Sequence, residues 1–585
     1  MIIYVRMKSL VCTTLLVETS PQGLPLGAAC IASAVKADSR TNKNFSVELL
    51  DFSLEDEEIS FARKSGGDEK VASLLANRLV QKNPDFLAFS VYVWNRVILE
   101  KTCIELKKLL PDCVCIAGGP EVTADPLSFK SFDFMIAGQG ERAVVELLST
   151  LIHKTESCKG NENEKSSTGQ EFAIQGVYKN SFSVRDYTTN KSVHESASTE
   201  IIRACPLPPD LTASPYLDGT LDPEKYGGAL WELARGCPFK CSYCYESKGE
   251  KKIAYFPMER LEKEIELFAK KKIAQVFVLD PTYNASKERA IKMLKIIEKK
   301  APGMFFYFEA RAEFIDRELA KAFARIPCCL QIGLQSANPE VLKNVHRTLD
   351  KKRFVKNIGF LNDEGVIFGF DLIYGLPGDN YNGFCESIDF ALSLYPNNLE
   401  LFCLSVLPGT DLHDAAAGFG LEWEKVPPYH VLKTPKFTEK DLEKCANLAF
   451  ATNLFYTKGR AVAWFNSVLY VLQEKPSVFL RKFEEFLGAD SFEIEELQLS
   501  FVKKRFAEKH LDKFFPAAED LIKMHAALGR CTFDGSESTF TTHYHPDDVM
   551  SEYGTDIEFF TENCGKQKCR VQVFVGKNGA DWRVL

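Results

Sequence analysis

The chain has 585 residues, of which 45% are hydrophobic and 26% are charged, and this composition excludes a fibrous or wholly disordered protein. Its 72 basic and 80 acidic residues give a net charge of −8, which provides no overall attraction to nucleic acid or to an anionic membrane. No uncharged apolar stretch is long enough to span a bilayer and no targeting signal stands at the start, so we expect a cytoplasmic protein. The 18 cysteines are too few for a disulfide scaffold, and we expect buried thiols or metal ligands.

The first 150 residues alternate between strand-like and helix-like segments. Predicted strands lie in VCTTLLVE, SVELLDFSL, PDFLAFSVYVW, VCIAGGPEV and DFMIAGQG, with helical periodicity between them. Such alternation predicts an α/β domain with a parallel, doubly wound, Rossmann-like sheet, which we place at residues 1–153. Ligands of such sheets bind beyond the carboxyl ends of the strands, where the Gly-rich turns of this sequence fall.

The next segment, residues 154–222, is predicted to be a flexible insertion, a hairpin and a connector. It begins with the polar, low-complexity run KTESCKGNENEKSSTGQ, continues with the strand-like pieces FAIQGVYKN and FSVRDYT, and ends in the Pro-rich CPLPPDLTASPYL.

A second series of β/α units follows, with predicted strands in ALWELARG, QVFVLD, FFYFEAR, LQIGLQS, IFGFDLIYG and ELFCLSVLPG. Six parallel strands at these intervals predict a partial (β/α)6 barrel of the TIM type over residues 223–414. Longer helical patterns follow, and the last 50 residues return to β character. We therefore predict a mainly helical C-terminal domain with a small β end at residues 415–585.

Three cysteines in RGCPFKCSYCYE carry the strongest chemical signal. Cys237, Cys241 and Cys244 have CxxxCxxC spacing. Three thiolates on one loop can each bind one iron of a cubane iron–sulfur cluster and leave the fourth iron without a protein ligand. The alternative is a zinc knuckle whose fourth ligand lies elsewhere, since structural zinc takes four protein ligands. The loop follows the first predicted barrel strand, at the end where barrel active sites are built.

This loop resembles that of the radical S-adenosylmethionine (SAM) superfamily, which reads CxxxCxx(aromatic)C. The motifs VFVLDPTYN, FYFEARAEF, GLQSANPEVL, DLIYGLPGDN and LSVLPGTDL resemble the later strand motifs of that superfamily in the same order. The resemblance implies a [4Fe-4S] cluster on the three cysteines, cleavage of SAM to a 5′-deoxyadenosyl radical, and an electron donor such as flavodoxin or ferredoxin. It makes the three cysteines the catalytic residues and metal ligands, and it places these residues near SAM: Tyr243, Asp280, Glu309, Arg311, Gln335, Ser336, Arg347, Gly375 and Pro377.

The amino-terminal motifs PQGLPLGAACIAS, SVYVWN, IAGGPEVT and AGQGERAVVELL resemble the cobalamin-binding domain that precedes the barrel in one large subgroup of this superfamily. The resemblance implies cobalamin contacts from Gly23, Gly27, Ser90, Tyr92, Trp94, Gly118, Gly119, Glu121, Gly138, Gly140 and Glu141. The Asp-x-His-x-x-Gly signature of base-off, His-on cobalamin proteins is absent, so bound cobalamin would have no histidine as its lower ligand. The alternative is a relic or a substrate-binding domain without cobalamin.

The resemblance implies a radical SAM enzyme, with cobalamin-dependent methyl transfer to an unactivated carbon as the favoured reaction. A radical rearrangement or cyclisation, with or without cobalamin, stays open, as does an iron–sulfur or cobalamin carrier without catalytic activity. A methylthiotransferase-like enzyme with a second cluster is a further alternative, but the amino-terminal cysteines lie mostly in predicted strands and a predicted helix, where buried thiols explain them better. The substrate is unknown, and we expect neither a membrane nor a nucleic-acid partner.

Overall fold

The structure of the chain, a computed structural model, describes residues 6–157, 174–180, 201–248, 252–488, 493–577 and 579–585. Most of the predicted low-complexity segment and the second piece of the predicted hairpin, FSVRDYT, lie outside the described residues. Among the described helices, none combines the length and the apolar character needed to cross a bilayer.

The amino-terminal domain is built on a six-stranded sheet. Its strands are β1 (Lys8–Leu16), β2 (Phe45–Ser53), β3 (Phe86–Ser90), β4 (Val114–Gly118), β5 (Phe134–Ile136) and β6 (Val177–Lys179). They lie in the order β2-β1-β3-β4-β5-β6, with β1 to β5 parallel and β6 antiparallel to β5. The predicted parallel sheet is confirmed, and β6, which comes from the predicted hairpin, extends it.

Helices cover both faces of this sheet. The helices are α1 (Leu26–Ala37), α2 (Glu57–Val80), α3 (Arg96–Leu109), α4 (Pro120–Ala124) and α5 (Gly140–Ser157). Along β1, Leu10 and Cys12 belong to the core under α1 and α5, whereas Val11 and Leu15 belong to the core under α2 and α3. Successive side chains of a strand point to opposite faces, so a sheet covered on both sides has a nearly continuous apolar sequence. This explains the fully buried run VCTTLL in β1, in which Thr13 and Thr14 are the polar residues.

A second six-stranded sheet forms the predicted partial barrel. In chain order its region contains β7 (Gly228–Trp231), β8 (Ala234–Arg235), β9 (Ala254–Tyr255), β10 (Gln275–Val278), β11 (Phe305–Ala310), β12 (Cys328–Gln335), β13 (Ile367–Tyr374) and β14 (Asn398–Cys403). The barrel order is β7-β10-β11-β12-β13-β14, and every neighbouring pair is parallel. Its helices are α6 (Met258–Lys270), α7 (Lys287–Lys300), α8 (Arg317–Phe323), α9 (Pro339–Asn344), α10 (Lys351–Asp363), α11 (Tyr381–Leu392) and α12 (Asp411–Ala415).

The first predicted barrel strand, ALWELARG, is split in the structure. β7 ends at Trp231, and β8 leaves the sheet to pair antiparallel with β9. The cause is the buried carboxylate of Asp280, whose Oδ1 accepts hydrogen bonds from the N–H groups of Leu233 (2.8 Å) and Ala234 (2.9 Å). The chain therefore bends at the carboxyl end of β7, just before the cysteine loop.

The C-terminal region is mainly helical, as predicted. It contains α13 (Glu439–Thr452), α14 (Phe465–Leu472), α15 (Pro476–Phe486), α16 (Ile494–Glu508) and α17 (Phe515–Asp534), and a π-helical turn, Asn453–Lys458, follows α13. Phe455 of this turn packs edge-on against Phe465, Phe479, Phe483 and Phe501. Such aromatic contacts supply much of the apolar burial in a small helical core.

The π-helical turn also covers the open edge of the barrel at β14. The Thr457 hydroxyl accepts a hydrogen bond from Leu399 N–H (3.1 Å) and donates to the carbonyl of the same residue (3.3 Å). A side chain thus makes the bonds that a seventh strand would have made, and buried backbone groups need such partners. The helical region therefore closes one side of the partial barrel.

The remaining elements are small. A hairpin of β15 (Glu422–Trp423) and β16 (Val431–Lys433) follows the barrel, and the C-terminal sheet joins β17 (Ser538–Thr542), β18 (Cys569–Gly576) and β19 (Gly579–Val584) antiparallel. Two short helices, α18 (Pro546–Val549) and α19 (Ile557–Asn563), lie between β17 and β18. This agrees with the small β end that the sequence predicts.

Candidate active site

The three cysteines of the predicted cluster lie on one loop after β8. Cys241 is buried, and Cys237 and Cys244 are half-buried. Burial raises the pKa of Cys237 and raises the pKa of Cys244 to about 11, and the neighbouring thiols of the loop contribute in the same direction.

Backbone hydrogen bonds tie the cysteine loop to other parts of the barrel. The N–H of Ser242 donates to the carbonyl of Val345 (3.1 Å), just after α9, and the N–H of Leu412 in α12 donates to the carbonyl of Ser242 (2.8 Å). A further bond from Cys244 N–H to the carbonyl of Cys241 (3.1 Å) closes a turn within the loop. The barrel itself therefore holds the loop that carries the thiols.

The donor set fits an iron–sulfur cluster better than a single metal ion. Within the part of the chain that the structure describes, no three His, Cys, Asp or Glu side chains converge where one ion could bind them together. A cubane cluster makes no such demand, because each thiolate binds a different iron. Three thiols on one loop match that requirement, whereas a structural zinc site needs four ligands around one point.

Arg347 connects the cysteine loop to β12. Its Nη2 donates to the carbonyl of Gly333 (2.7 Å), and its Nη1 lies 3.2 Å from Tyr243 Oη and 4.0 Å from Cys241 Sγ. Tyr243 and Arg347, both predicted to lie near SAM, are therefore in direct contact. The guanidinium places a positive charge beside a thiol that would carry negative charge when it binds iron.

Gln335, at the end of β12, supplies a buried acceptor. Its side chain is 8% exposed, and its Oε1 makes no hydrogen bond with any described residue. Its φ of +67° is rare for a residue other than glycine. A Cβ at Gly333 would lie 2.5 Å from Gln335 Nε2, so a larger residue there would displace the Gln335 amide. A buried acceptor without a partner costs about 1–3 kcal/mol, and an N–H donor of bound SAM would remove that cost.

Other predicted SAM residues lie in turns at the carboxyl ends of strands. Ser336 is fully buried, and its Oγ accepts from the N–H of Asn338 (3.1 Å), so it stabilises its own turn instead of facing the barrel mouth. Gly375 has a φ of +87°, and a Cβ there would lie 2.6 Å from Val431 Cγ1. The carbonyl of Pro377 accepts from Asn344 Nδ2 (2.8 Å).

The acidic residues predicted near SAM differ in their surroundings. Burial raises the pKa of Asp280 to about 7, although one of its oxygens is already used to hold the bend after β7. Glu309 is exposed as a residue. Partial removal of water from around its carboxylate, and then the negative charge of Asp371, raise the pKa of Glu309 to about 7. Arg311 pairs with Glu313 (2.7 Å) and its guanidinium lies 3.7 Å from the ring centre of Phe239 in the cysteine loop.

A cavity of about 900 Å³ separates the amino-terminal sheet from the barrel. It lies at the carboxyl ends of β1 and β3, between which the strand order reverses, and this switch point is where doubly wound sheets bind ligands. Its wall contains ten of the eleven residues predicted to contact cobalamin: Gly23, Gly27, Ser90, Tyr92, Trp94, Gly118, Gly119, Gly138, Gly140 and Glu141.

The eleventh predicted residue, Glu121, does not line the cavity. It is buried, and its Oε2 accepts hydrogen bonds from Tyr429 Oη (2.7 Å) and from Arg96 Nη1 (3.1 Å). Tyr429 belongs to the segment after the barrel, so Glu121 joins the amino-terminal domain to that segment. The motif IAGGPEVT correctly locates the start of α4. It gives no information about Tyr429, which lies 308 residues further along the chain.

The shape of the wall fits a broad, flat ligand. The rings of Tyr92 and Trp94 stack almost parallel with 4.6 Å between their centres, and Trp94 is 46% exposed. A Cβ at Gly27 would lie 2.6 Å from Tyr92 Oη, and a Cβ at Gly119, whose φ is +109°, would lie 2.5 Å from the carbonyl of Val91. Glycine at both positions therefore keeps the wall open and lets a ligand approach the backbone. A corrin ring meets these conditions.

The barrel supplies the opposite wall of the cavity, and the sequence analysis missed these residues. They are Leu230, Glu232, Ala234, Arg235, Gly236, Tyr245, Glu246, Leu279 and Pro281. Gly236 and Tyr245 are the direct neighbours in sequence of Cys237 and Cys244. The cavity therefore extends from the amino-terminal sheet to the cysteine loop. The sequence Arg235-Gly236 before the first cysteine is the one local sign of this wall. The hydrogen-bond partners of Arg235, Gln139 and Glu141, lie in the amino-terminal domain and cannot be found from local sequence.

Comparison with protein-family models gives two matches. The model of the radical SAM superfamily matches residues 231–391, which contain the cysteine loop, and the model of the B12 binding domain matches residues 13–148. Residues 231–391 therefore form a radical SAM domain. The chain carries a B12-binding domain ahead of this radical SAM domain, and this confirms both resemblances found in the sequence.

Two curated relatives are methyltransferases from the genera Streptomyces and Streptantibioticus. The cobalamin-dependent radical SAM methyltransferase TokK of Streptomyces tokunonensis is 26% identical over 388 residues, which cover 60% of this chain and 50% of TokK. The 2-(S-pantetheinyl)-carbapenam-3-carboxylate methyltransferase of Streptantibioticus cattleyicolor is 26% identical over 408 residues, which cover 63% of this chain and 54% of that enzyme. The chain thus matches about half the length of these relatives.

A solved structure has a similar fold. It is that of the cobalamin-dependent S-adenosylmethionine radical enzyme OxsB with aqua-cobalamin and S-adenosylmethionine bound. The match has a TM-score of 0.53 at 12% identity and covers 95% of this chain and 83% of OxsB. This likeness shows a shared fold that extends over most of both chains.

Proposed function

We propose that this protein is a cobalamin-dependent radical SAM methyltransferase that acts at an unactivated carbon. When bound, the [4Fe-4S] cluster with SAM supplies a 5′-deoxyadenosyl radical, and cobalamin supplies a methyl group. The relatives named above, which are methyltransferases, support this reaction over a rearrangement or a cyclisation.

One observation carries the proposal: a single cavity extends from the B12-binding domain to the cysteine loop. Trp94 and the glycine turns form one wall, and Gly236 and Tyr245 beside the cysteines form part of the other. Methyl transfer to a carbon radical requires the methyl donor and the radical source to reach the same substrate atom, because a radical formed far from the donor would react elsewhere. The cavity allows this, because residues of both domains line it.

The residues of the chain have distinct parts in this proposal. Cys237, Cys241 and Cys244 would hold the cluster, Arg347 would keep Tyr243 and the loop in place, and Gln335 would accept a hydrogen bond from SAM. An external one-electron donor such as flavodoxin or ferredoxin would reduce the cluster. The domain limits 1–153, 154–222, 223–414 and 415–585 are also part of the proposal.

The experiment is transfer of an isotope-labelled methyl group from SAM to an acceptor in a small-molecule extract, under anaerobic conditions and with a chemical reductant. The full chain, reconstituted with iron, sulfide and hydroxocobalamin, is expected to form a product with the mass of one added labelled methyl group. The same protein prepared without cobalamin is the control and is expected to form none. Equal product formation without cobalamin would contradict the cobalamin-dependent reaction.

A further inference from the structure

A buried ion pair joins the B12-binding domain to the start of the cysteine loop. Arg235 Nη1 donates to Glu141 Oε1 (2.7 Å) and to Gln139 Oε1 (3.1 Å). Both acceptors belong to the turn that begins α5, next to the glycines that line the cavity. Arg235 stands two residues before Cys237. The guanidinium of Arg235 therefore connects the cavity wall of the B12-binding domain to the cysteine loop.

A second carboxylate fixes the orientation of this guanidinium. Arg235 Nη2 and Nε donate to the two oxygens of Glu232 (2.8 and 3.1 Å). The side chains of Arg235 and Glu141 are only 15% and 6% exposed. A planar guanidinium can bind two carboxylates along different edges at once, which the single ammonium group of lysine cannot reproduce.

Two other polar contacts of the amino-terminal domain lie away from the cysteine loop. Lys225 pairs with Asp51 (2.6 Å) before the barrel begins, and Tyr429 donates to Glu121 (2.7 Å) after it ends. These contacts hold the domains together but do not touch the residues beside the cysteines. Arg235 differs from them because it lines the cavity and also ends β8, directly before the cysteine loop.

We propose that Arg235 is a positioning residue that couples occupancy of the corrin cavity to the order of the cysteine loop, an inference that rests on the proposed function. A corrin in the cavity would cover the wall that contains Arg235 and Glu141 and would remove water from their surroundings. An ion pair is stronger where water does not screen it. A loaded cluster would fix the loop from which Arg235 extends. Each ligand thus stabilises the arrangement that the other requires, and such coupling is reciprocal.

The test measures the affinity of the full chain for hydroxocobalamin by absorbance titration, with and without the reconstituted cluster. In the wild type, cluster loading is expected to tighten cobalamin binding by about fivefold or more, the usual range of coupling between sites. The Arg235→Lys variant is expected to bind both ligands, with a coupling of less than about twofold. A merely structural weakening would lower both affinities and leave their ratio unchanged.

The matched control is Arg96→Lys. Arg96 also pairs with a buried glutamate of the B12-binding domain (3.1 Å to Glu121), but it contacts Tyr429 and not the cysteine loop. Its coupling is expected to equal that of the wild type. If Arg235→Lys loads no cluster, Glu141→Gln removes the same ion pair from the other side and is expected to lose the coupling.

Two results would overturn the inference: independent binding of cobalamin and cluster in the wild type, or full coupling retained in both the Arg235→Lys and the Glu141→Gln variants. A wild-type chain that binds neither hydroxocobalamin nor a cluster would instead contradict the proposed function. The two failures are therefore distinguishable.

Discussion

Arg347 Nη1 lies 3.2 Å from Tyr243 Oη, so the aromatic residue inside the cysteine motif is held by a charged residue from beyond α9. The same guanidinium donates to the carbonyl of Gly333 (2.7 Å). The contact fixes the loop to β12 and positions a positive charge beside Cys241. It explains why an aromatic residue with a hydroxyl group at position 243 suits this chain.

The Arg347→Met variant should destabilise the loop. It leaves Gly333 and Tyr243 without their donor, and each unsatisfied buried group costs about 1–3 kcal/mol. We expect a lower iron content after reconstitution and a lower thermal midpoint. The control is Arg353→Lys, an exposed arginine on α10 whose change should alter stability by about 0.5 kcal/mol or less. An unchanged iron content in Arg347→Met would refute the role given to this contact.

The Gly27→Ala variant should separate cobalamin binding from stability. The added Cβ would lie 2.6 Å from Tyr92 Oη and would displace that ring toward the cavity. We expect loss of corrin absorbance after desalting, while the cluster absorbance and the thermal midpoint stay close to those of the wild type.

Gly359→Ala is the matched control, because a Cβ at this position of α10 meets no atom within 4 Å. Alanine there should stabilise the helix by up to about 1 kcal/mol without affecting cobalamin. If Gly27→Ala retained cobalamin as well as this control does, the corrin would not occupy the cavity wall at Tyr92.

The charge network of Glu474 should make the helical region sensitive to acid. Burial acts to raise the pKa of Glu474, but hydrogen bonds from Lys482 (2.7 Å) and Arg505 (2.5 Å) outweigh it and hold the pKa below its ordinary value. A lowered pKa stabilises the folded state fully above the unfolded value near 4.5, and this contribution is lost as the pH falls through the lower folded value.

The Glu474→Gln variant tests this network. At pH 7 it should destabilise α14 to α16 by about 2 kcal/mol, since it removes the buried carboxylate that accepts from Arg505 and leaves Glu508 as the remaining acidic partner of this arginine. Hydrogen exchange of the amides in these helices measures the loss. The difference from the wild type should shrink below the ordinary pKa of glutamate. Glu485→Gln, an exposed change on α15, should have an effect of about 0.5 kcal/mol or less. Equal exchange in Glu474→Gln and Glu485→Gln would count against the network.

The sequence predicts the parts of the site that depend on local spacing. The three cysteines, the strands of both sheets and the glycine turns each follow from a few consecutive residues, and the structure has them at these places, except that the first barrel strand is split after Trp231. The parts it missed depend on contacts between distant segments. Arg235 meets Glu141 across the domain interface, and Thr457 completes the edge of β14 from a π-helical turn. No periodic pattern marks such contacts, because each involves one side chain and a backbone position far away in the chain.

The central claim is that the cysteine loop holds a cluster that cleaves SAM, and the most direct measurement is formation of 5′-deoxyadenosine. The reconstituted full chain should form it from SAM with a chemical reductant under anaerobic conditions. Cys241→Ala should form none, whereas Cys205→Ala, which changes an exposed thiol outside the loop, should match the wild type. Absence of 5′-deoxyadenosine from the cluster-loaded wild type, or its formation by Cys241→Ala, would contradict the claim.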